Sequence, residues 1–171
     1  MSWSEHGCFD LRGINLTAAT LGGANFVGTN VDHAVFRGAK LLDADFQGAA
    51  SCRYTIFEGA DLLRATLQRI DATGARFDRA SLHEAALDEA ILDDATFVGS
   101  DVRDAKLIGV SAARADFSDA LLMEADFEGA QLINCSFRGA DISLANFRSC
   151  NLEGASFVGA LGADTATFGI R

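Results

Sequence analysis

The feature that most constrains this chain is a five-residue period in its apolar side chains. If the central apolar residue of each pentapeptide is called position i, these positions recur every five residues from Leu16 to Ser51. After a slip of one residue they run from Phe57 to Phe157 without a break. Ala or another small residue usually stands at i−2. A period of five matches neither the 3.6-residue turn of an α-helix nor the two-residue repeat of a flat strand.

A chain that turns a corner after every five residues satisfies this period. Four such sides close a square coil in which residues i and i−2 both point inward, as alternate residues of an extended segment do. One large and one small side chain per side fill so narrow an interior, which explains Phe or Leu at i and Ala at i−2. Gly is frequent at i+2, where a tight corner demands positive φ. About seven to eight coils, stacked at roughly 4.8 Å, would make a rod on the order of 35–40 Å long.

The coil model predicts two facing columns of large side chains, provided that the slip is one bulged residue. The first column contains Leu16, Phe36, Phe57, Phe77, Phe97, Phe117, Phe137 and Phe157. The opposite column contains Phe26, Phe46, Leu67, Leu87, Leu107, Phe127 and Phe147.

The (A/S/T/V)(D/N)(L/F)XX repeat resembles that of pentapeptide repeat proteins over residues 9–159. The resemblance implies an all-β fold, a right-handed quadrilateral parallel β-helix. Asp or Asn often precedes the central residue, as at Asp61, Asp101 and Asp141. Leu121 and Ala86 depart from this pattern, which is tolerable because position i−1 points outward.

Three irregular segments suggest the domain organisation. Residues 1–8, with the only Trp, are predicted to cap the first coil and cover its open strand edges. A one-residue frame slip is predicted at 52–55, where an exposed contact of Arg53 and Tyr54 is the alternative to a plain bulge. Residues 160–171 are predicted to form a C-terminal coil or cap. If the protein forms a homodimer, we expect Phe168 or Ile170 at that end to supply the contact.

Composition excludes several functional classes. Fourteen Lys and Arg against 24 Asp and Glu give a net charge of −10, which argues against a partner that is nucleic acid or an anionic membrane and favours a basic one. Apolar runs are too short for a transmembrane helix, and the N-terminus lacks the features of a signal peptide. The four Cys show no CxxC spacing, so a reduced, cytoplasmic protein is expected.

The sequence offers little for catalysis. His6, His33 and His83 fall in different coils, whereas a zinc site needs three or four convergent ligands. Cys135 and Cys150 occupy i−2, where they are interpreted as small buried fillers. Nucleophile-elbow, Walker and zinc-protease motifs are absent. We therefore expect no enzyme activity, no cofactor and no metal.

The outward positions carry a concentration of acids, which we take as the candidate partner-binding face. The predicted residues are Asp43, Asp61, Glu84, Asp88, Glu89, Asp93, Asp94, Asp101, Asp104, Glu124 and Asp141. One interpretation is a solvated surface that keeps a repeat rod soluble. The other is that acids fixed on a rigid rod imitate the width and field of DNA.

The resemblance makes the second interpretation concrete. Some pentapeptide repeat proteins bind DNA gyrase or topoisomerase IV and protect them from quinolones or other topoisomerase poisons. By this resemblance the chain is expected to be a DNA mimic with a role in antibiotic resistance or self-immunity. The alternative is a general protein–protein interaction scaffold of unknown partner.

Overall fold

The architecture is a stack of coils joined by parallel backbone pairing. The computed structural model describes residues 9–49 and 51–169. Two short strands, β1 (Asn146–Phe147) and β2 (Thr167–Phe168), pair in parallel with Phe147 opposite Phe168. Elsewhere, isolated parallel bridges join equivalent positions of successive coils, such as Asp101 and Leu121. Within the described residues no helix is long and apolar enough to cross a membrane.

Each pentapeptide forms one side of a coil, and position i−1 carries the bridge. Between coils the Phe97 amide donates to the Asp116 carbonyl at 2.7 Å, and the Asp116 amide donates to the Ala95 carbonyl at 3.0 Å. We number the four sides in chain order by the residues at position i. Side 1 includes Cys52, Leu92 and Leu132; side 2 includes Phe57, Phe97 and Phe137; side 3 includes Leu62, Val102 and Ile142; and side 4 includes Leu67, Leu107 and Phe147.

The corners are tight turns with positive φ at i+2. The Ser100 amide closes one of them onto the Phe97 carbonyl at 3.0 Å. Glycine takes the i+2 conformation as predicted, for example Gly99 at φ 62°. Asp94 and Asp104 adopt the same conformation at φ 58° and 56°. Asp is among the residues that best tolerate this region, so charged side chains can occupy corners without glycine.

The two predicted columns are confirmed and form the centre of the core. In the first, the ring of Phe97 stacks on Phe77 at 4.7 Å and on Phe117 at 4.6 Å between centroids. In the second, Phe127 and Phe147 stack at 5.1 Å. Rings from opposite columns meet nearly at right angles, as Phe117 and Phe127 do at 87°. Stacked and edge-to-face contacts are both favourable geometries for aromatic rings.

The register change lies slightly earlier than the sequence indicated. The pairing between coils changes register between Ala49 and Ser51, since Asn25 pairs with Asp45 but Asn30 pairs with Ser51. Ser51, taken above as a central residue, therefore lies at the outward position i−1, and that assignment is wrong. Cys52 occupies position i and is fully buried. A thiol packs in an apolar interior more readily than a hydroxyl does.

A second displacement of the frame occurs near the C-terminus. Phe168 extends the second column beyond Phe147, although it is out of step with the five-residue frame, and the two rings stack at 5.3 Å. It also meets Phe157 edge to face at 5.7 Å, yet remains 43% exposed. The predicted cap at residues 1–8 and the predicted contact residue Ile170 lie outside the described residues.

Candidate protein-binding surface

The predicted acids occupy three sides of the coil. Seven lie on side 3: Asp43, Asp61, Glu84, Asp101, Asp104, Glu124 and Asp141. Asp88 and Glu89 lie on side 4, and Asp93 and Asp94 lie on side 1, which is opposite side 3. A single flat partner therefore cannot contact all eleven.

Acids at i−1 are hydrogen-bonded to their own backbone. Asp61 accepts from the Leu63 amide at 3.2 Å, and Asp141 accepts from the Ser143 amide at 3.1 Å and the Ser143 hydroxyl at 2.6 Å. The amide of position i+1 makes no hydrogen bond to a neighbouring coil's backbone, so it needs another acceptor. Asp and Asn side chains commonly supply one to an amide slightly further along the chain. These acids consequently serve the corner of the coil.

Acids at i+1 perform the same task for the next coil. Asp88 accepts from the Ile108 amide at 3.2 Å, and Asp93 accepts from the Ala113 amide at 2.9 Å. The sides that they serve have no Asp or Asn at their own i−1 position. A carboxylate from the preceding coil thus takes the place of the local one. This role cannot be recognised within one pentapeptide, because the donor and the acceptor belong to different coils.

Four of the predicted acids are paired with arginine. Asp43 contacts Arg64, Glu89 contacts Arg69, Asp94 contacts Arg114 and Asp101 contacts Arg103, at 2.6 to 2.8 Å. Hydrogen bonds from these guanidinium groups hold the pKa of each carboxyl below its ordinary value. Three of these pairs join successive coils. Their charge is largely neutralised and contributes little to the field of the rod.

Among the described residues, five acids of side 3 make no ion pair with Lys or Arg, and three of these five also accept no hydrogen bond from a backbone amide. Among the described residues, no Lys or Arg lies within ion-pair distance of Glu84, Asp104 or Glu124. All three are exposed and occupy the same corner position of successive coils. Backbone hydrogen bonds join their three coils: the Glu84 amide donates to the Arg103 carbonyl, and the Asp104 amide donates to the Met123 carbonyl, each at 3.0 Å. We call Glu84, Asp104 and Glu124 the acidic row. Strand spacing places its members roughly 4.8 Å apart along the rod.

His83 lies beside the acidic row. Its Nε2 is 3.3 Å from Glu84, and its Nδ1 is 3.4 Å from Asp104 and 3.0 Å from the Arg103 carbonyl. These contacts hold the imidazole against the two carboxylates.

An exposed aromatic pair lies at a different corner. The rings of His33 and Tyr54 stack at 5.3 Å, and the ring of Tyr54 also covers Gly74, where a Cβ would lie 2.6 Å from it. Arg53 pairs with Asp71 and remains exposed. His33 thus joins Tyr54 at the corner diagonal to the acidic row, and an exposed contact of Arg53 and Tyr54 with a partner stays a prediction.

Cys135 and Cys150 lie at position i−2, as their spacing indicated; Cys135 is buried and Cys150 is half-buried. The Cys135 thiol donates to the Ala112 carbonyl at 2.8 Å, and the Cys150 thiol donates to the Phe127 carbonyl at 2.9 Å. Burial raises the pKa of Cys135 to about 12 and that of Cys150 to about 11. Both thiols stay protonated near neutral pH, which suits packing rather than nucleophilic chemistry.

Comparison with known proteins gives this architecture a family. The family model described as pentapeptide repeats (8 copies) matches residues 14–50 and 49–83, and the model described as a pentapeptide repeat region matches residues 73–157. The chain belongs to the pentapeptide repeat family. No curated protein matches it significantly.

Solved pentapeptide repeat proteins resemble the chain at low sequence identity. A trypsin-treated form of QnrB1, a plasmid-mediated fluoroquinolone resistance protein, has 18% identity and a TM-score of 0.63, with 94% of this chain and 91% of that chain covered. HetL, involved in heterocyst differentiation regulation in Nostoc sp. strain PCC 7120, has 26% identity and a TM-score of 0.36, with 92% and 86% covered. A protein of the Arabidopsis thaliana thylakoid lumen has 24% identity and a TM-score of 0.32, with 84% and 68% covered. The QnrB1 match supports the β-helix fold.

Proposed function

We propose that this pentapeptide repeat protein is a non-catalytic, cytoplasmic rod whose acidic row binds a basic protein surface. The partner that we propose is DNA gyrase or topoisomerase IV, with the rod imitating DNA and protecting the enzyme from topoisomerase poisons. The right-handed winding and the seven to eight coils belong to the same proposal.

The observation that carries this proposal is the acidic row, whose members make no direct ion pair with Lys or Arg among the described residues. The other predicted acids on side 3 cap amides or pair with arginine. Glu84, Asp104 and Glu124 instead project from the same corner of three successive coils, and among the described residues none of them has an ion pair with Lys or Arg. Fixed charges of one sign raise the rate of encounter with an oppositely charged surface and orient the partner. The row would therefore form the centre of the contact.

The acidic row reproduces the negative field of DNA but does not reproduce the spacing of the DNA phosphates. Adjacent coils lie roughly 4.8 Å apart, whereas each DNA strand carries one phosphate per about 3.4 Å of axis. A basic groove would consequently meet a lower line charge than DNA presents. Binding would depend on overall width and on a rigid backbone, so a partner shaped for duplex DNA is the suitable one.

The likeness to QnrB1 supports the choice of partner to test. QnrB1 is described as a fluoroquinolone resistance protein, and gyrase is a target of that drug class. At 18% identity the likeness concerns the fold alone. The acidic row must therefore be tested directly.

A matched pair of charge reversals tests the proposal by direct binding to purified gyrase. Glu84→Lys with Glu124→Lys removes the ends of the row, while Asp119→Lys with Glu153→Lys changes exposed acids on sides 2 and 1. Each double variant moves the net charge from −10 to −6, since two acids become two lysines. We expect the first to weaken binding at least tenfold and the second to change it little. Equal weakening by both variants would show that only net charge matters.

The alternative function, a general protein–protein interaction scaffold, is favoured by the exposed His33 and Tyr54 pair. Tyr is enriched at protein interfaces, and the Tyr54 side chain is 53% exposed. If gyrase does not bind but Tyr54→Ala abolishes capture of another cellular protein, the scaffold function replaces the gyrase proposal.

Self-association through the C-terminal end is part of the proposed arrangement. The exposed ring of Phe168 ends the second column and would be covered by a second copy. Light scattering across a concentration series should show a dimer that Phe168→Ser dissociates. A monomer at every concentration would exclude this contact.

A further inference from the structure

A groove on side 2 differs in charge from the rest of the rod. It has a volume of about 530 Å³ and is lined by Arg37, Glu58, Gly59, Arg76, Asp78, Arg79 and Val98. Three arginines and two acids give this lining a net charge of +1, whereas the whole chain has −10. The groove therefore gathers guanidinium groups on a protein that is otherwise acidic.

The two acids of the groove are already engaged. Arg37 Nε donates to Glu58 Oε2 at 2.8 Å, and Arg76 contacts the other oxygen of the same carboxylate. Asp78 accepts from the Val98 amide at 3.0 Å, and its second oxygen is 3.6 Å from Arg76. Among the described residues, neither acid lies within ion-pair distance of Arg79.

Arg79 is the guanidinium left without an acceptor. In the part of the chain that the structure describes, its side chain has neither a hydrogen bond nor an ion pair. Its Cγ lies 3.9 Å from the position that a Cβ on Gly99 would take, so its stem extends along the corner toward the next coil. Gly59, below it, has no atom within 4 Å of an added Cβ. The groove therefore has open space at Gly59, and Arg79 is part of the same lining.

We propose that this groove binds a single carboxylate group through Arg79, with Arg76 as the second contact. A guanidinium binds a carboxylate through two parallel N–H···O bonds, and one negative charge balances the net charge of the lining. Val98 and the arginine stems offer apolar contact to the carbon atoms beside the carboxylate. The overall negative charge does not prevent this, because fields from distant coils are screened within about 8 Å at physiological salt. The proposal is independent of gyrase binding.

The test is an NMR titration of the ¹⁵N-labelled full chain at constant ionic strength. Sodium butyrate is the free carboxylate, and a five-residue peptide with blocked ends and one central glutamate between leucines is the protein-like carboxylate. We expect saturable shifts of the Gly59 and Val98 amides and of the Arg79 Nε–H signal. Peptide binding about tenfold tighter than butyrate would identify a protein side chain as the source, and equal affinity would identify a small carboxylic acid. Shifts equal to those with sodium chloride, or tighter binding of phosphate than of either carboxylate, would overturn the proposal.

Two variants complete the test. Arg79→Ala should raise the dissociation constant about tenfold without affecting thermal stability, since Arg79 has no partner to lose among the described residues. Arg138→Ala is the matched control, because Arg138 is an exposed residue on the same side, lies outside the groove and likewise has no side-chain partner in the described part of the chain. Unchanged affinity in Arg79→Ala, or an equal loss in Arg138→Ala, would contradict the assignment.

Discussion

At the scale of single residues, the acids of this chain divide by what they contact. Asp93 accepts from the Ala113 amide and from the Ser111 hydroxyl at 2.8 Å, and Asp101 is held by Arg103. Within the described residues, His83 is the only group within ion-pair distance of the Asp104 carboxylate, and the Glu124 carboxylate has no hydrogen bond or ion pair. Acids that look equivalent in the sequence therefore differ in whether the fold needs them.

Replacing Asp93 by Ala and Asp104 by Asn should reveal this division. Asp93→Ala leaves the Ala113 amide without its acceptor and should lower the free energy of unfolding by about 1–2 kcal/mol. Asp104→Asn removes the charge but keeps a residue that tolerates the positive φ of this corner, so it should change the free energy by less than about 0.5 kcal/mol. Urea unfolding followed by circular dichroism measures both, and an equal effect of the two substitutions would show that Asp93 has no capping role.

The pair of Asp101 and Arg103 predicts a specific pH dependence. Arg103 holds the pKa of Asp101 below its ordinary value near 4. Because the folded-state pKa is lowered, the stabilisation is present above the ordinary value and is lost as pH falls through the lowered one. Asp101→Asn keeps an oxygen for the Arg103 amide but loses the ion pair. At pH 7 the free energy of unfolding of wild type should exceed that of Asp101→Asn by less than about 1 kcal/mol, since Arg103 is 40% exposed. Near pH 2 the two proteins should be equally stable. A difference that persists near pH 2 would exclude the ion pair as its cause.

These contacts limit what the sequence could predict about the candidate surface. The five-residue frame correctly placed the acids outward, because the alternation of inward and outward positions is local. The acceptor role of Asp88 and Asp93 could not be found in this way, since the amides of Ile108 and Ala113 belong to the next coil. Charge reversal at Asp101 would disturb both its corner and Arg103.

At the scale of one coil, stability comes from the two inward columns. Phe97 is fully buried between the rings of Phe77 and Phe117. The small residue at i−2 of each side, such as Ala95, leaves room in the interior, and the large side chains of the opposite column fill that room. Little room remains for the coil to collapse if a ring is removed.

Phe97→Ala should therefore be strongly destabilising. We expect a loss of about 3–5 kcal/mol in the free energy of unfolding, because the empty site lies between two rigid coils. Phe97→Leu is the control and should cost less than about 2 kcal/mol, since Leu occupies the same inward position at Leu87 and Leu107 in the opposite column. Equal losses in the two variants, measured by chemical denaturation, would contradict the column packing.

The coil itself was largely predictable, and the register change was less so. Large and small residues alternate so regularly that the two columns follow from the period alone. Ser51 and Cys52 are similar in size, so side-chain volume could not decide which of them points inward. The backbone pairing of Asn30 with Ser51 settles the matter through contacts that no local pattern encodes.

At the scale of the whole molecule, charge is distributed unevenly around the rod. Among its outward positions, side 2 has four acids and four arginines: Glu58, Asp78, Asp116, Asp119, Arg37, Arg76, Arg79 and Arg138. Side 3 has seven acids against Lys40, Arg64 and Arg103. A rigid rod with one acidic side and one balanced side can present different surfaces to different partners.

The most direct test of gyrase binding by the acidic row is protection of the enzyme from a fluoroquinolone. Drug-stabilised DNA cleavage is measured with purified gyrase and up to micromolar excess of wild type, of Glu84→Lys with Glu124→Lys, or of Asp119→Lys with Glu153→Lys. We expect wild type and the double variant Asp119→Lys with Glu153→Lys to reduce drug-stabilised cleavage. The double variant Glu84→Lys with Glu124→Lys should not reduce it. Cleavage unchanged by wild type, or reduced equally by all three proteins, would contradict gyrase binding by the acidic row.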